Sequence, residues 1–121
     1  MHKLTELALF TDDVEETADF YEQLLGLPPA VKAHDLVIFK PGGLTLLIHY
    51  RYPEDTGQPP NQDHIAVSVT DLDAVCRDLA AQGMELLVEP RHYSWGLSAY
   101  LRDPDGRLIE LTEQSNPAQK D

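Results

Sequence analysis

The chain is poor in basic residues, and this shortage argues against the most common polyanionic partners. Only 9 Lys and Arg stand against 21 Asp and Glu in 121 residues, which gives a formal net charge of −12. Nucleic acids and anionic membrane surfaces both require a basic face on the protein that binds them. We therefore expect neither as a partner. The acidity accounts for solubility, and it also leaves open the attraction of a cationic ligand.

Cysteine and long apolar runs are scarce as well. The single cysteine, Cys76, cannot form an internal disulfide. No 18-residue apolar run indicates a transmembrane helix, and no signal-peptide pattern is present. We expect a soluble, cytoplasmic protein whose 42% hydrophobic residues build one domain. Cys76 falls on the apolar stripe of a helix, so we expect it to serve packing.

The chain contains an internal repeat. A shift of 58 positions, from 8 to 66 and from 13 to 71, superimposes Ala8 on Ala66 and Asp13 on Asp71, and most neighbouring pairs are conservative. Two copies are too few for a solenoid but suit a pseudo-symmetric pair of modules. We assign module one to 3–50, a linker rich in Pro, Gly and polar residues to 51–62, and module two to 63–113. Together they form a single domain over 1–114, followed by a polar, disordered tail at 115–121.

Each module has the pattern of one strand, one helix and further strands. In the first, alternation predicts a strand over 3–10, and Asp13 is the expected N-cap of a helix that ends at Gly26. Strands follow at 36–40 and 44–50. In the second, the helix runs from the Asp71 cap to Gly83, and the predicted strands are 64–69, 84–88, 97–102 and 107–112. The stretch 89–96 is predicted to be a loop.

Three potential metal donors lie on strand faces opposite the apolar faces. Alternation puts Glu6 opposite Leu7, and His64 opposite Ile65. Glu110 lies on the last strand, on the face that also carries Leu108. Under the repeat, Glu6 occupies the position that His64 holds in the second module. Taken singly, each could instead be a hydrogen-bonded histidine or a solvated carboxylate.

Aromatic residues concentrate near the predicted loop. His92, Tyr93 and Trp95 lie within it and Tyr100 follows, although aromatics make up only 7% of the chain. We expect these four residues to border a substrate pocket, because Trp and Tyr combine apolar contact with a hydrogen-bonding edge. Arg91 or His92 could pair with an anionic group of the substrate. The alternative is that Trp95 packs at a dimer interface.

The order βαβββ, present twice, indicates an α+β fold of two modules with mixed, mostly antiparallel sheets around a concave face. The chain resembles the vicinal oxygen chelate superfamily, which includes glyoxalase I, bleomycin-resistance proteins, methylmalonyl-CoA epimerase and extradiol dioxygenases. The resemblance extends from Glu6 to Leu111. It is carried by ELALFTDDV from Glu6, HIAVSVTDL from His64 and YLRDPDGRLIEL from Tyr100.

That resemblance implies metal ligands on the first and last strands of each module. His64 and Glu110 match the pair of the second module. Glu6 stands where the first module usually has His, and it remains an oxygen donor. The ligand on the last strand of the first module is harder to assign. Four residues after the turn glycine, the second module has Glu110 (from Gly106), but the first module has Leu47 (from Gly43). His49, two residues further, is a possible fourth ligand if the register shifts.

The implied cofactor is a divalent metal, Zn, Ni, Mn, Fe or Co, since one or two imidazoles and two carboxylates suit these ions. In the family such a metal chelates two neighbouring substrate oxygens and stabilises negative charge on them. Glu6 or Glu110 would act as general base. We thus expect a glyoxalase-like lyase, isomerase or transferase. The alternative is a metal-free, bleomycin-resistance-like protein that sequesters a cationic small molecule, and an extradiol dioxygenase is less favoured because it requires His at the position of Glu6.

The resemblance also implies a homodimer. In two-module members of the family, the first module of one subunit usually lies beside the second module of its partner. Glu6 would then complete a site with His64 and Glu110 from the other subunit. Isologous dimers are also the commonest assembly.

Overall fold

The computed structural model describes residues 2–55 and 58–113, so the tail predicted at 115–121 lies outside the described residues. The chain divides into two compact units, one comprising 5–64 and the other combining 65–113 with the short stretch up to Leu4. Within the described ranges, neither helix has the length and apolar character needed to cross a membrane.

The first unit contains five elements: β1 (Lys3–Thr11), α1 (Val14–Leu25), β2 (Val31–Lys32), β3 (Leu36–Phe39) and β4 (Thr45–Tyr50). Its strands lie in the order β2-β3-β4-β1. The β2–β3 and β3–β4 pairs are antiparallel, whereas β4 runs parallel to β1. A parallel pair requires a crossover connection, which here includes α1. The βαβββ order requires the two-residue strand β2, but its bounds were not predicted, because so short a segment carries no readable alternation.

Local signals define α1 at both ends. The Asp13 side chain accepts a hydrogen bond from the backbone N–H of Glu16 at 3.0 Å. At the other end Gly26 adopts φ 71°, the left-handed conformation that glycine adopts without steric cost. The predicted cap and stop of this helix are therefore confirmed.

One side of α1 covers one face of the strands. Val14 and Ala18 are buried, and they pack in a core with Val37, Phe39, Leu46 and Ile48. Leu7 and Leu9 of β1 join this core from the same face. Because side chains alternate along a strand, Glu6, Ala8 and Phe10 lie on the opposite face.

The second unit repeats this arrangement with β5 (His64–Val69), α2 (Leu72–Ala81), β6 (Leu86–Tyr93), β7 (Gly96–Arg102) and β8 (Leu108–Glu113). By the contact division, His64 itself belongs to the first unit. The strand order β5-β8-β7-β6 corresponds to that of the first unit, with the opening strand beside the closing one. The predicted duplication of a βαβββ module is confirmed.

The loop predicted at 89–96 is wrong. Strand β6 continues to Tyr93 and pairs with β7, so that Ser94 and Trp95 alone form the turn. The proline and polar residues of this stretch resemble a loop, but Pro90 is tolerated because β6 is the last strand in its order, where a missing N–H costs little. The pairing also shifts register between Val88 and Arg91.

Helix α2 begins at the predicted cap, where the Asp71 side chain accepts from the N–H of Ala74 at 3.1 Å. Glu113 adds a second acceptor at this end, for the N–H of Leu72 at 3.0 Å. Cys76 is 6% exposed inside the core beneath the helix. Burial, followed by nearby carboxylates, raises the pKa of its thiol. The packing role expected for Cys76 is confirmed.

Candidate metal centre

Glu6 and His64 lie together within the first unit. Glu6 is half-buried on β1, on the face away from α1, and His64 is 8% exposed at the start of β5. Each offers one ligand atom, and these two atoms lie within 4.8 Å of one another. Two atoms that each bind one ion at about 2 Å lie no more than about 4 Å apart, so a separation of up to 4.8 Å closes onto one ion with a shift of less than about 1 Å.

The His64 ring is held in a defined tautomer. Its Nδ1 lies 2.8 Å from the carbonyl oxygen of Gln62. Since a carbonyl only accepts hydrogen bonds, Nδ1 must carry the hydrogen, and in the neutral ring the lone pair is then on Nε2. Metal-binding histidines characteristically donate their second ring N–H in this way. The local backbone therefore prepares Nε2 of His64 as a ligand.

Phe10 contacts His64 and lies in a cluster of rings. The Phe10 ring centroid lies 6.0 Å from that of His64 and 5.4 Å from that of His49, and Tyr52 contacts both Phe10 and His49 edge-on at 5.9 and 5.6 Å. Asp63 accepts a hydrogen bond from the Phe10 N–H at 2.8 Å. The Asp63 hydrogen bond ties the residue before His64 to β1.

His49, the possible fourth ligand, lies further along its strand. It pairs with Phe10, whereas Thr45 is the partner of Glu6 in the same β1–β4 ladder. Four residues of strand correspond to about 13 Å. The Nδ1 atom of His49 lies 2.7 Å from the carbonyl oxygen of Tyr50. Its role as a ligand stays a prediction that the strand register does not favour.

Glu110 lies in the second unit and is buried. Its side chain is 5% exposed on β8, and Oε2 accepts a hydrogen bond from the Ser98 hydroxyl at 2.8 Å. Tyr100, which is 1% exposed, pairs with Glu110 across the β7–β8 ladder. A buried carboxylate requires such donors, because burial without compensation is costly. Ser98 was missed from the sequence, although alternation along β7 places it on the face of Tyr100.

The predicted pocket residues divide into buried and exposed members. Tyr93 stacks on Trp95 with centroids 4.7 Å apart and planes at 8°, and it meets Tyr100 edge-on at 6.2 Å. Trp95 is 51% exposed, and His92 is also exposed. Burial raises the pKa of Tyr93, and the adjacent Arg91 acts in the opposite direction. The pocket role of these residues stays a prediction.

In residues 2–55 and 58–113, one group of His, Cys, Asp or Glu side chains could hold a metal ion, namely Glu6, His64 and Glu110. His49 is not a member. One imidazole nitrogen and two carboxylates form a donor set suited to Zn, Ni, Mn, Fe or Co. The residues present therefore fit a divalent transition metal.

Sequence comparison now decides the family. A family model of the Glyoxalase/Bleomycin resistance protein/Dioxygenase superfamily matches residues 3–111. The chain belongs to this superfamily. Proteins similar to this chain include a probable lactoylglutathione lyase of Vibrio cholerae, 26% identical over 93% of this chain and 91% of its own. A virulence protein of Salmonella typhimurium is 25% identical over 92% of this chain and 83% of its own.

Solved structures agree on the glyoxalase-like α+β fold. Methylmalonyl-CoA epimerase from Mycobacterium tuberculosis aligns with TM-score 0.71 and 21% identity, covering 96% of this chain and 90% of that one. A superfamily member from Vibrio splendidus aligns with TM-score 0.66 and 17% identity, covering 94% and 100%. At these identities the likeness establishes the fold, and the reaction must be argued from the residues.

Proposed function

We propose that the chain is a divalent-metal-dependent enzyme that binds two neighbouring oxygens of a small substrate. Glu6, His64 and Glu110 would hold the metal. The observation that carries the proposal is the donor group itself, in which His64 presents Nε2 and two carboxylates complete the set. The name of the Vibrio cholerae relative supports a lyase-type reaction.

Three protein ligands leave coordination positions open, which is typical of catalytic and not of structural sites. When bound, the metal supplies a Lewis acid that stabilises negative charge developing on substrate oxygen. The protein residues orient the substrate and move the proton. Glu6 or Glu110, once displaced from the metal, would act as the general base and accept a proton from the carbon next to the oxygens.

Metal analysis combined with turnover tests the proposal. Protein purified without added metal should contain up to one equivalent of a transition metal per chain, and His64→Ala should lower that content. Turnover of lactoylglutathione, chosen from the relative's name, should be lost on metal removal and restored by re-addition. Wild-type protein that neither retains nor binds any of the five metals would refute the proposal.

Stacking of Trp95 on Tyr93 favours a second candidate function, the binding of a cationic small molecule without metal. Trp95 is half-exposed and stacked on Tyr93, in a chain of net charge −12. Aromatic faces and negative charge together suit a cationic small molecule. Bleomycin at micromolar concentration should then quench the Trp95 fluorescence of the metal-free protein. Binding that depends on metal, or no binding, would count against this role.

A homodimer and a cytoplasmic location remain part of the proposal. The dimer is proposed from the family resemblance alone, because the ligand atoms of Glu6 and His64 lie within 4.8 Å of one another inside one chain and not across two subunits as expected. Sedimentation at micromolar concentration should give twice the chain mass of 13.6 kDa. A monomer under these conditions would contradict it.

A further inference from the structure

A chain of two hydrogen bonds links the protein surface to Glu110. The indole Nε1 of Trp95 lies 3.0 Å from Oγ of Ser98, and that Oγ lies 2.8 Å from Oε2 of Glu110. Trp95 is 51% exposed, whereas Ser98 and Glu110 are 0% and 5% exposed. The half-exposed indole is thus connected to a buried carboxylate through one hydroxyl.

The direction of both bonds follows from the chemistry of the groups. An indole nitrogen can only donate, so the Ser98 oxygen accepts from Trp95. The hydroxyl has a single hydrogen, which it donates to Glu110. A hydroxyl that donates to a carboxylate makes a stronger bond than one between two neutral groups, and accepting from the indole polarises the hydroxyl further. Each member therefore favours the orientation of the next.

The hairpin of β7 and β8 places Ser98 close to Glu110. Ser98 pairs with Thr112 and Tyr100 pairs with Glu110, so that Ser98 lies two residues from the Glu110 partner, on the same strand face. Trp95 lies in the two-residue turn between β6 and β7, where its ring stacks on Tyr93. All links of the chain lie within the second unit.

We propose that Ser98 and Trp95 are positioning residues that set the rotation of the Glu110 carboxylate for metal binding. The terminal torsion of a glutamate is otherwise broad, whereas metal ligands must be held within about 0.5 Å and 10–20°. The Ser98 bond engages Oε2 and selects one orientation. Trp95 in turn keeps the Ser98 hydrogen directed at Glu110. This inference rests on the proposed function, because it takes Glu110 as a ligand.

Calorimetric titration of metal-free protein with Zn²⁺ or Co²⁺ tests the proposal. Ser98→Ala removes both hydrogen bonds and should weaken metal binding by about 10- to 100-fold, the usual cost of losing a group that supports a ligand. Trp95→Phe keeps an aromatic ring at an exposed position and should weaken binding less. Ser94→Ala, an equivalent change at an exposed residue of the same turn, is the matched control and should bind as the wild type does.

Fluorescence supplies a readout that a purely structural role would not change. Trp95 is the single tryptophan of the protein, so tryptophan emission comes from this end of the hydrogen-bond chain alone. Metal binding should alter the emission of the wild type and of Ser94→Ala. In Ser98→Ala the response should be lost at metal concentrations that calorimetry shows to be saturating.

The outcomes separate the two levels of the argument. Wild-type protein that binds metal, with Ser98→Ala and Trp95→Phe binding equally tightly, would overturn the positioning role and leave the proposed function intact. Wild-type protein that binds no metal would overturn both. If Ser98→Ala fails to fold, Trp95→Phe decides: unchanged metal affinity refutes the proposal, and weaker binding supports it.

Discussion

Removing His64 should remove most of the thermal stabilisation that a divalent metal confers, whereas removing His49 should leave it intact. His64 is 8% exposed and donates from Nδ1 to Gln62, which directs the lone pair to Nε2. His49 stands outside the donor group and pairs with Phe10 in the strand register. The variants His64→Ala and His49→Ala therefore remove the same ring from two positions with different expected consequences.

The size of the effect follows from linkage. A metal present at 100 times its dissociation constant stabilises the folded state by about 2.7 kcal/mol. The unfolding entropy is about 2.1 cal/mol/K per residue, so for 121 residues the free energy of unfolding falls by about 0.25 kcal/mol per degree near the melting temperature. The metal should therefore raise the melting temperature by about 11 °C. If loss of His64 weakens binding by about 100-fold, the residual stabilisation is about 0.4 kcal/mol, or less than about 2 °C.

Thermal unfolding of metal-free protein with and without Zn²⁺ or Ni²⁺ provides the assay. The difference between the two melting temperatures is the quantity to compare, because His64→Ala also loses a buried ring and lowers the baseline. An equal shift in His64→Ala and wild type would refute His64 as a ligand. A shift lost in His49→Ala alone would show instead that the register argument fails and that His49 binds the metal.

Three further predictions concern stability. Gly26→Ala should lower the free energy of unfolding by about 1–2 kcal/mol in urea titration, because φ 71° is strained for alanine although its Cβ would meet no atom within 4 Å; an unchanged midpoint would contradict this. Asp71→Ala should lower the free energy of unfolding by about 1 kcal/mol in the same assay, since the Ala74 N–H loses its acceptor. A variant as stable as the wild type, or more stable, would contradict the capping role. Hydrogen bonds from Arg107, the backbone N–H foremost, lower the pKa of Asp103 below 3.8, so its contribution is present above pH 3.8 and is lost as the pH falls through the lower folded value. Asp103→Asn should therefore be less stable than wild type at pH 7, and the difference should shrink towards pH 2; a difference independent of pH would argue against a role for the charge.

Much of the fold could be predicted because its signals are local. Asp13 and Asp71 carry side-chain acceptors at the point where apolar periodicity begins, and Gly26 meets a requirement for positive φ that other residues satisfy at a cost. Alternation along β1 and β5 also assigned the faces of Glu6 and His64 correctly. These signals depend on a few neighbouring residues, so tertiary packing did not override them.

The features that sequence analysis missed depend on contacts distant along the chain. The stretch 89–93 contains a proline and charged residues, and it becomes strand because β7 pairs with it. Ser98 gave no signal of its own, since small polar residues on strands are common. Its significance comes from Glu110, 12 residues away, and from the turn that places Trp95 within reach.

The duplication explains why the donor group has three members and not four. Leu47 occupies the closing position of the first module, and it pairs with Ala8 on the strand face that also carries Glu6. An apolar side chain there cannot bind a metal, and His49 lies two residues, or about 7 Å, further along the strand. The first module would thus contribute one donor where the second contributes two. A metal held by three protein ligands would keep positions open for substrate oxygens, so an apolar residue at position 47 favours substrate chelation over a closed structural site.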